Sequence, residues 1–243
     1  MFQKGRFLNV FREDDRGTKS VLRFVDPVKS DLSKLVHALF FARWCNKAAT
    51  LDALSPDRLS DSEGLLQFLQ EKVEQPWCNL NAYPVESVCW AEGSFAQLEA
   101  CTTLFPKIGD FLVESLTGAS GDVVTATNNI NAEFKMENDF PIFMAVIDLA
   151  WFRPDIIDPA SHVPTGIGAL PFLNRLQDYL GLSDHHETCD KMIELQKTHW
   201  PDAKRGFQPI DIEYLSCECR KYYSYVNGTK KFEGKNSFAP MDR

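Results

Sequence analysis

The chain has 243 residues, of which 44% are hydrophobic and 25% charged, an ordinary composition for a globular protein with a sizeable core. Its formal net charge of −8 lowers the expectation of a basic surface that grips duplex DNA through its phosphates. No apolar run reaches the roughly 20 residues of a membrane span, so we expect no membrane partner. The seven cysteines lack paired CxxC spacing, so we expect reduced thiols and an intracellular location, cytoplasmic or nuclear.

The first third of the chain predicts helices separated by polar turns. Residues 9–25 begin with a charged cluster and favour helix over strand. Residues 30–54 predict an apolar helix, with Ser30 or Asp31 as its N-cap. Residues 55–73 predict a turn followed by a second helix, with Asp61 or Ser62 as a helix start signal.

Arg43 and Asn46 are polar residues inside the apolar helix. Because they are three residues apart, a continuous helix would place both on one face. A buried guanidinium without a partner costs several kcal/mol, so Arg43 requires a carboxylate or a phosphate. It is either part of a site for an anionic ligand or half of a structural ion pair with Asp15 or Glu218.

The rest of the chain also predicts helices. Residues 75–87 are irregular, and helical patterns resume at Leu98 and across 123–152. A loop then leads to a helix that ends at Gly181, a residue suited to the left-handed C-terminal position. We predict no strands. The fold class is therefore all-α, with residues 1–243 forming a single helical domain whose last helix, at 210–228, is capped by Asp211.

The run Asp184-His185-His186-Glu187, followed by Cys189, offers metal-ligand residue types. Adjacent histidines cannot share a helix face, and the run is typical of a polar loop that opens a helix. We predict neither a metal nor a cofactor.

Four segments resemble one protein family. They are `FLNVFREDDRGT` (7–18), `ALFFARWCN` (38–46), `IFMAVIDLAW` with `VPTGIGALPFL` (142–173), and `IEYLSCECRKY` (212–222). Together they resemble the helical domain of 5-hydroxymethyluracil DNA kinases and its stand-alone relatives, the α-glutamyl/putrescinyl thymine pyrophosphorylases. The chain has no GxxxxGK[ST] phosphate loop, which favours the stand-alone branch.

The resemblance implies a fold related to helix–hairpin–helix DNA glycosylases. It also implies a transferase that builds a hypermodified thymine, in which an amine displaces pyrophosphate from a 5-(pyrophosphoryloxymethyl)pyrimidine in DNA. The implied partners are DNA with a modified pyrimidine and an amino acid or polyamine.

The sequence departs from the family pattern at the hairpin. Residues 138–142 replace the usual glycines, and Pro141 lacks the backbone N–H that a phosphate would accept. The second loop keeps Thr165, Gly166 and Gly168, which we assign to substrate binding, although such a loop often serves only a tight turn.

Pyrophosphate displacement requires cations for the leaving group, a base for the amine, and groups that hold a flipped base. The resemblance assigns these roles as follows: Arg12, Arg16 and Arg43 as cations, Asp15 or Glu218 as base, Asn46 as the amide, Lys221 beside Glu218, and Tyr222 as a substrate contact. The alternatives are a solvated turn at 12–17 and an exposed Glu218–Lys221 helix pair. The run `KYYSYVNG` (221–228) offers rings that could stack on bases, although such faces are more often core.

Two other functions compete with the transferase. The first is a non-catalytic reader of modified bases or a helical protein-interaction module, favoured by the acidic charge. The second is a glycosylase on oxidised thymine, for which Asp155 and Asp158 are the nearest carboxylates but precede the expected position.

Overall fold

The computed structural model of the protein describes residues 9–80, 86–91, 93–166 and 168–229. Across these residues the chain is mainly α-helical, which confirms the predicted all-α class. It divides into two compact units: a larger one of residues 16–164, and a smaller one that combines the residues up to Asp15 with those from Thr165 onward. The single domain and the glycosylase-like fold stay predictions.

The larger unit contains nearly all of the short elements. Its helices are α1 Arg16–Val25, α2 Leu32–Cys45, α3 Ala48–Ala53, α4 Ser62–Lys72, α5 Gln97–Glu99, α6 Phe105–Lys107, α7 Gly109–Thr117, α8 Val123–Phe134 and α9 Phe140–Phe152. A π-helical turn, Ala100–Leu104, links α5 to α6, and 3-10 turns lie at Asp26–Val28 and Pro56–Ser60.

Helices α2 and α9 form the core of the larger unit. Both are apolar on all sides, and nearly every residue from Leu35 to Cys45 and from Pro141 to Ala150 is buried. A helix without a polar face is stable in water only when other elements surround it. Helix α2 packs against α9, α1 and α7, which cover it.

Aromatic rings fill the space beside α2. The Trp44 ring centroid lies 5.0 Å from that of Phe105 and 6.2 Å from that of Phe134, both nearly perpendicular. Phe40 lies 5.8 Å from Phe105, also edge to face. Edge-to-face pairs of this kind are worth about 0.5–1.5 kcal/mol beyond their buried area.

Local start signals were predicted correctly, but the length of the apolar helix was not. The Asp31 and Asp61 carboxylates accept the backbone N–H groups of Lys34 and Gly64, as N-caps do. The predicted helix over 30–54 instead ends at Asn46, whose φ of 43° is left-handed, and restarts as α3. Asn46 therefore does not continue the face of Arg43, and that inference was wrong.

A short hairpin corrects the prediction that there are no strands. Strand β1, Val88–Trp90, pairs antiparallel with β2, Gly93–Phe95, with Val88 opposite Phe95. Three residues are too few to show the alternation from which strands are recognised. Part of the segment predicted to be irregular, residues 81–85, lies outside the described residues.

The smaller unit is built from three helices and an N-terminal segment. The helices are α10 Leu170–Leu180, α11 His185–His199 and α12 Pro209–Val226, and residues 12–14 form a 3-10 turn. Its core is formed by Ala169, Leu173, Cys189 and Ile212.

Helix ends in this unit show one confirmation and one correction. Helix α10 ends at Gly181 in the left-handed conformation, with φ of 67°, as predicted. Helix α12 begins at Pro209, with Gln208 rather than Asp211 as the N-cap residue. Asp211 lies in the first turn, where its Oδ2 accepts the Gln208 N–H at 2.8 Å.

Within the described ranges, none of the helices combines the length and the apolar character that crossing a bilayer requires.

Candidate functional site

Arg43 is half of a buried ion pair that joins the two core helices of the larger unit. Its Nε and Nη2 donate to the two carboxylate oxygens of Asp148, in α9, at 2.5 and 2.7 Å. Nη2 also donates to the Thr18 hydroxyl at 3.2 Å. The side chains of Arg43 and Asp148 are 2% and 0% exposed. This geometry is that of a structural ion pair, with Asp148 in place of the partners that we had predicted.

The other two predicted site residues of the larger unit, Asn46 and Arg16, are not part of this ion pair. Asn46 is half-buried and ends α2, its backbone N–H donating to the Ala42 carbonyl at 2.7 Å. Arg16 is exposed in the first turn of α1. The catalytic roles of Arg16, Arg43 and Asn46 stay predictions.

The solvated turn predicted as an alternative for residues 12–17 does not describe residues 12–13, which are enclosed or ion-paired, although Arg16 in the same run is exposed. Arg12 is only 2% exposed. The Arg205 Nη2 lies 2.6 Å from Glu13 Oε2, and Lys204 Nζ lies 2.8 Å from Glu13 Oε1. Burial acts to raise the pKa of Glu13, but the hydrogen bonds from Arg205 and Lys204 outweigh it and lower that pKa to about 2.

Asp211 connects the N-terminal segment to α12. Its carboxylate accepts the Arg12 backbone N–H at 3.1 Å and pairs with Arg205 Nη1 at 2.6 Å. Arg205 therefore bridges Glu13 and Asp211. This bridge and the Arg12 N–H bond to Asp211 hold the backbone at Arg12 against α12.

The Arg12 side chain lies over an aromatic ring of α12. Its guanidinium carbon is 4.7 Å from the centroid of the Tyr214 ring, a cation–π distance. The Tyr214 hydroxyl is 3.5 Å from Asp15 Oδ1. Two residues predicted for the site, Arg12 and Asp15, thus contact the same tyrosine.

Glu213, beside Tyr214, is a buried carboxylate that sequence reasoning missed. It is 6% exposed, and it makes no hydrogen bond with any residue that the structure describes. Burial raises its pKa to about 7, and the nearby positive charge of Arg12 opposes that rise. A carboxylate with a pKa close to neutral pH is suited to accept a proton during catalysis.

Gly166 and Gly168, two glycines of the predicted loop, lie against α12 near this carboxylate. A side-chain carbon added to Gly166 would lie 3.6 Å from Glu213 Oε1. One added to Gly168 would lie 3.0 Å from Cys217 Sγ, tighter than nine in ten real contacts of this kind. Gly168 therefore permits close packing on α12, whereas a side-chain carbon at Gly166 would make only an ordinary van der Waals contact. The half-buried Thr165 precedes both glycines.

Glu218, the predicted base, lies further along α12. Its Oε1 accepts from Lys221 Nζ at 2.6 Å, and the side chains are 7% and 34% exposed. The predicted pair thus exists, but its carboxylate is buried rather than exposed. Tyr222 is half-buried, with its ring 6.0 Å from that of Tyr223.

The remaining candidates have local structural contacts. Asp155 forms a bidentate ion pair with Arg153, whose Nε and Nη2 donate to its two carboxylate oxygens at 2.8 and 2.6 Å. Asp158 accepts the Ala160 N–H at 2.8 Å. His185 Nε2 lies 2.6 Å from Asn174 Oδ1, and Asp184 caps α11 by accepting the Glu187 N–H.

Glu213 escaped prediction because the residues around it come from distant parts of the chain. Its charged neighbour, Arg12, is about two hundred positions away, and Gly166 is about fifty. Its burial is seen in the structure, where Pro209 to Tyr214 are all buried and Glu213 is enclosed among them.

The cluster of Arg12, Glu213, Tyr214 and Gly166 combines a cation, a buried carboxylate with a raised pKa, an aromatic ring and a half-buried glycine. Such a set can take a proton and stabilise negative charge. Comparison of the chain with family models, with curated proteins and with solved structures found no match.

Proposed function

We propose that the protein is a DNA-base-modifying transferase, which joins an amine to a 5-(pyrophosphoryloxymethyl)pyrimidine in DNA with release of pyrophosphate. The observation that supports this most is the burial of the Glu213 carboxylate near the positive charge of Arg12 and next to the glycine loop at Gly166. The proposal also rests on the resemblance of four segments to pyrophosphate-displacing enzymes.

In the proposed reaction, the amine nitrogen attacks the methylene carbon attached to the base. The nitrogen–carbon bond forms as the carbon–oxygen bond breaks, and pyrophosphate leaves with the electron pair. The attacking amine loses one proton, which we assign to the Glu213 carboxylate, in place of Glu218. Arg12 is suited to stabilise the charge that develops on the leaving oxygen.

The pKa of Glu213 makes this role specific. At a pKa of about 7, the group is ionised in half of the molecules at neutral pH. The rate should therefore rise with pH through about 7 as the carboxylate forms, which is the behaviour of a general base.

The test is pyrophosphate release from an oligonucleotide carrying the pyrophosphorylated base, with glutamate or putrescine as the amine. We expect amine-dependent release by the full chain, reduced about 100-fold or more by Glu213→Gln. The control is Glu194→Gln, which removes an exposed carboxylate of α11 that pairs with Lys191 across one turn of the same helix. Release that Glu213→Gln leaves unchanged, or that neither amine supports, would contradict the proposal.

A non-catalytic reader of modified bases is the second candidate. It is favoured by the pairing of Arg43 with Asp148 and Thr18, which occupies a cation predicted to serve the leaving group. A reader would bind the modified DNA without releasing pyrophosphate, and both Glu213→Gln and Glu218→Gln would leave its affinity unchanged.

A further inference from the structure

A cavity in the smaller unit lies between α10 and the end of α12. Its volume is about 280 Å³, near the lower end of the pockets that hold small molecules, roughly 300 Å³. Its lining includes two cations, two rings and two polar side chains: Phe172, Arg175, Arg220, Tyr223, Ser224 and Asn227. None of the lining residues is acidic.

The guanidinium of Arg220 forms no ion pair with a carboxylate among the residues that the structure describes. Its Nε is buried and makes no hydrogen bond there. No side-chain hydrogen bond within the described ranges joins this guanidinium to a carboxylate either. A partly enclosed guanidinium of this kind favours an anionic ligand, because burial without a partner costs free energy.

Arg175 adds a second positive charge to the same cavity. Its guanidinium carbon lies 5.2 Å from the Tyr223 ring centroid, so the ring holds it in place without neutralising it. Two positive charges on one cavity repel each other, and an anion between them removes that repulsion. Arginine is also the side chain that best matches the oxygens of a phosphate.

The aromatic rings of the cavity indicate which chemical group is attached to the anion. The Phe172 and Tyr223 centroids lie 5.7 Å apart, and Tyr223 is 41% exposed although it belongs to a helix with a buried face. An exposed ring beside arginines offers a stacking surface for a flat, unsaturated group. Ser224 and Asn227 add a hydroxyl and an amide at the cavity.

We propose that this cavity binds a nucleoside phosphate, with Arg175 and Arg220 on the phosphate and Tyr223 against the base. The phosphate belongs either to a free mononucleotide or to one unit of a nucleic acid strand, and both present the same chemistry. The site does not depend on the proposed function, because it shares no residue with the Arg12–Glu213 cluster.

The test measures binding to the full chain by calorimetry with four probes: thymidine 5′-monophosphate, thymidine, inorganic phosphate and a short single strand of deoxythymidylate. We expect the monophosphate or the strand to bind about tenfold or more tightly than thymidine and than inorganic phosphate, since each lacks half of the recognised group. Tighter binding by the strand would identify nucleic acid as the source, and tighter binding by the monophosphate a free nucleotide.

Variants distinguish binding by the two cavity arginines from non-specific attraction of the anion to the positive charges of the protein. Arg220→Gln and Arg175→Gln should each weaken phosphate-dependent binding about tenfold. The matched control is Arg58→Gln, because Arg58 also stacks on a ring, that of Phe68 at 4.8 Å, but in the larger unit. Tyr223→Ala should weaken binding, whereas Tyr223→Phe should keep it.

Three results would overturn the proposal: no binding of any probe, equal binding of thymidine and its monophosphate, or unchanged binding in both arginine variants. Arg175 is exposed, so its variant tests the site even where Arg220→Gln disturbs the helix. Circular dichroism of each variant establishes that it is folded before binding is measured.

Discussion

The Arg43–Asp148 ion pair places opposite charges on the two core helices of the larger unit, α2 and α9. Because both side chains are almost fully enclosed, removing either one leaves the other charged and without its partner. We expect Arg43→Met or Asp148→Leu to lower the free energy of unfolding by about 3–5 kcal/mol. Urea denaturation of each variant is the measurement.

Two comparisons make this prediction specific. The double variant, Arg43→Met with Asp148→Leu, should recover part of the loss, because no unpaired charge then remains buried. The exposed pair of Arg23 and Asp52, with side chains 67% and 54% exposed, is the control, and either alanine variant there should cost less than about 1 kcal/mol. Equal losses at the two pairs would contradict a structural role for burial.

Glu213 should make the protein less stable as the pH rises. Its folded pKa of about 7 exceeds its ordinary value of 4.5, so the folded state binds the proton more tightly than the unfolded state. The free energy of unfolding should then fall between about pH 4.5 and 7 and level off above that, by about 3 kcal/mol in total.

Glu213→Gln should remove this slope while leaving the fold intact, as measured by thermal unfolding across the pH range. Glu194→Gln, at an exposed position of α11, should keep the slope. A slope that survives Glu213→Gln would mean that another group causes it. This measurement requires no substrate, so it tests the buried carboxylate separately from the proposed reaction.

At the level of helices, backbone conformation rather than polarity decides where the apolar segments break. Lys135 ends α8 with φ of 51°, a left-handed conformation that disfavours residues with a side chain. We expect Lys135→Gly to raise the free energy of unfolding by about 0.5–1 kcal/mol.

The control is a lysine-to-glycine substitution inside a helix, which should change the free energy of unfolding in the opposite direction. Lys34 is exposed within α2, and Lys34→Gly should lower the free energy of unfolding by about 1 kcal/mol, since glycine disfavours helix interiors. Chemical denaturation of the two variants should therefore give changes of opposite sign. A loss of stability in both would show that the Lys135 side chain contributes more than its conformation costs.

The sequence predicted those features of the helices that depend on adjacent residues. Asp31, Asp61 and Gly181 were recognised because a cap involves groups only three or four positions away. The break at Asn46 was missed, since an asparagine is compatible with both a helix and its end. The partner of Arg43 was also missed, because Asp148 is 105 residues away.

The candidate site shows the same division between local and distant information. Arg12, Asp15 and Gly166 were named from motifs, and each lies at or beside the N-terminal half of α12. Glu213 was not named, because its unusual pKa arises from burial by surrounding residues rather than from its neighbours in sequence.

At the level of the molecule, the smaller unit is held together by charges from widely separated positions. Glu13, Arg205 and Asp211 form one chain of ion pairs. Because the folded pKa of Glu13, about 2, lies below its ordinary value of 4.5, its contribution to stability is complete above 4.5 and is lost as the pH falls toward 2.

We therefore expect Arg205→Met to lower the free energy of unfolding at neutral pH by roughly 1–3 kcal/mol, since it leaves two carboxylates without their shared partner. The measured difference from the unmodified chain should shrink as the pH falls toward 2. Hydrogen exchange should show faster exchange at residues 9–15 in the variant. Unchanged exchange there would contradict the role of Arg205 in holding this segment.

The order in which the chain is synthesised has a consequence for this unit. Residues 9–15 are synthesised before the rest of the described chain, yet the residues that hold them, Arg205 and Asp211, are made about 190 positions later. Residues 16–164 are continuous and can fold during translation, whereas the early segment must wait for its partners. During that interval the apolar ring of Phe11, later covered by Trp200 and Phe207, is available to chaperones.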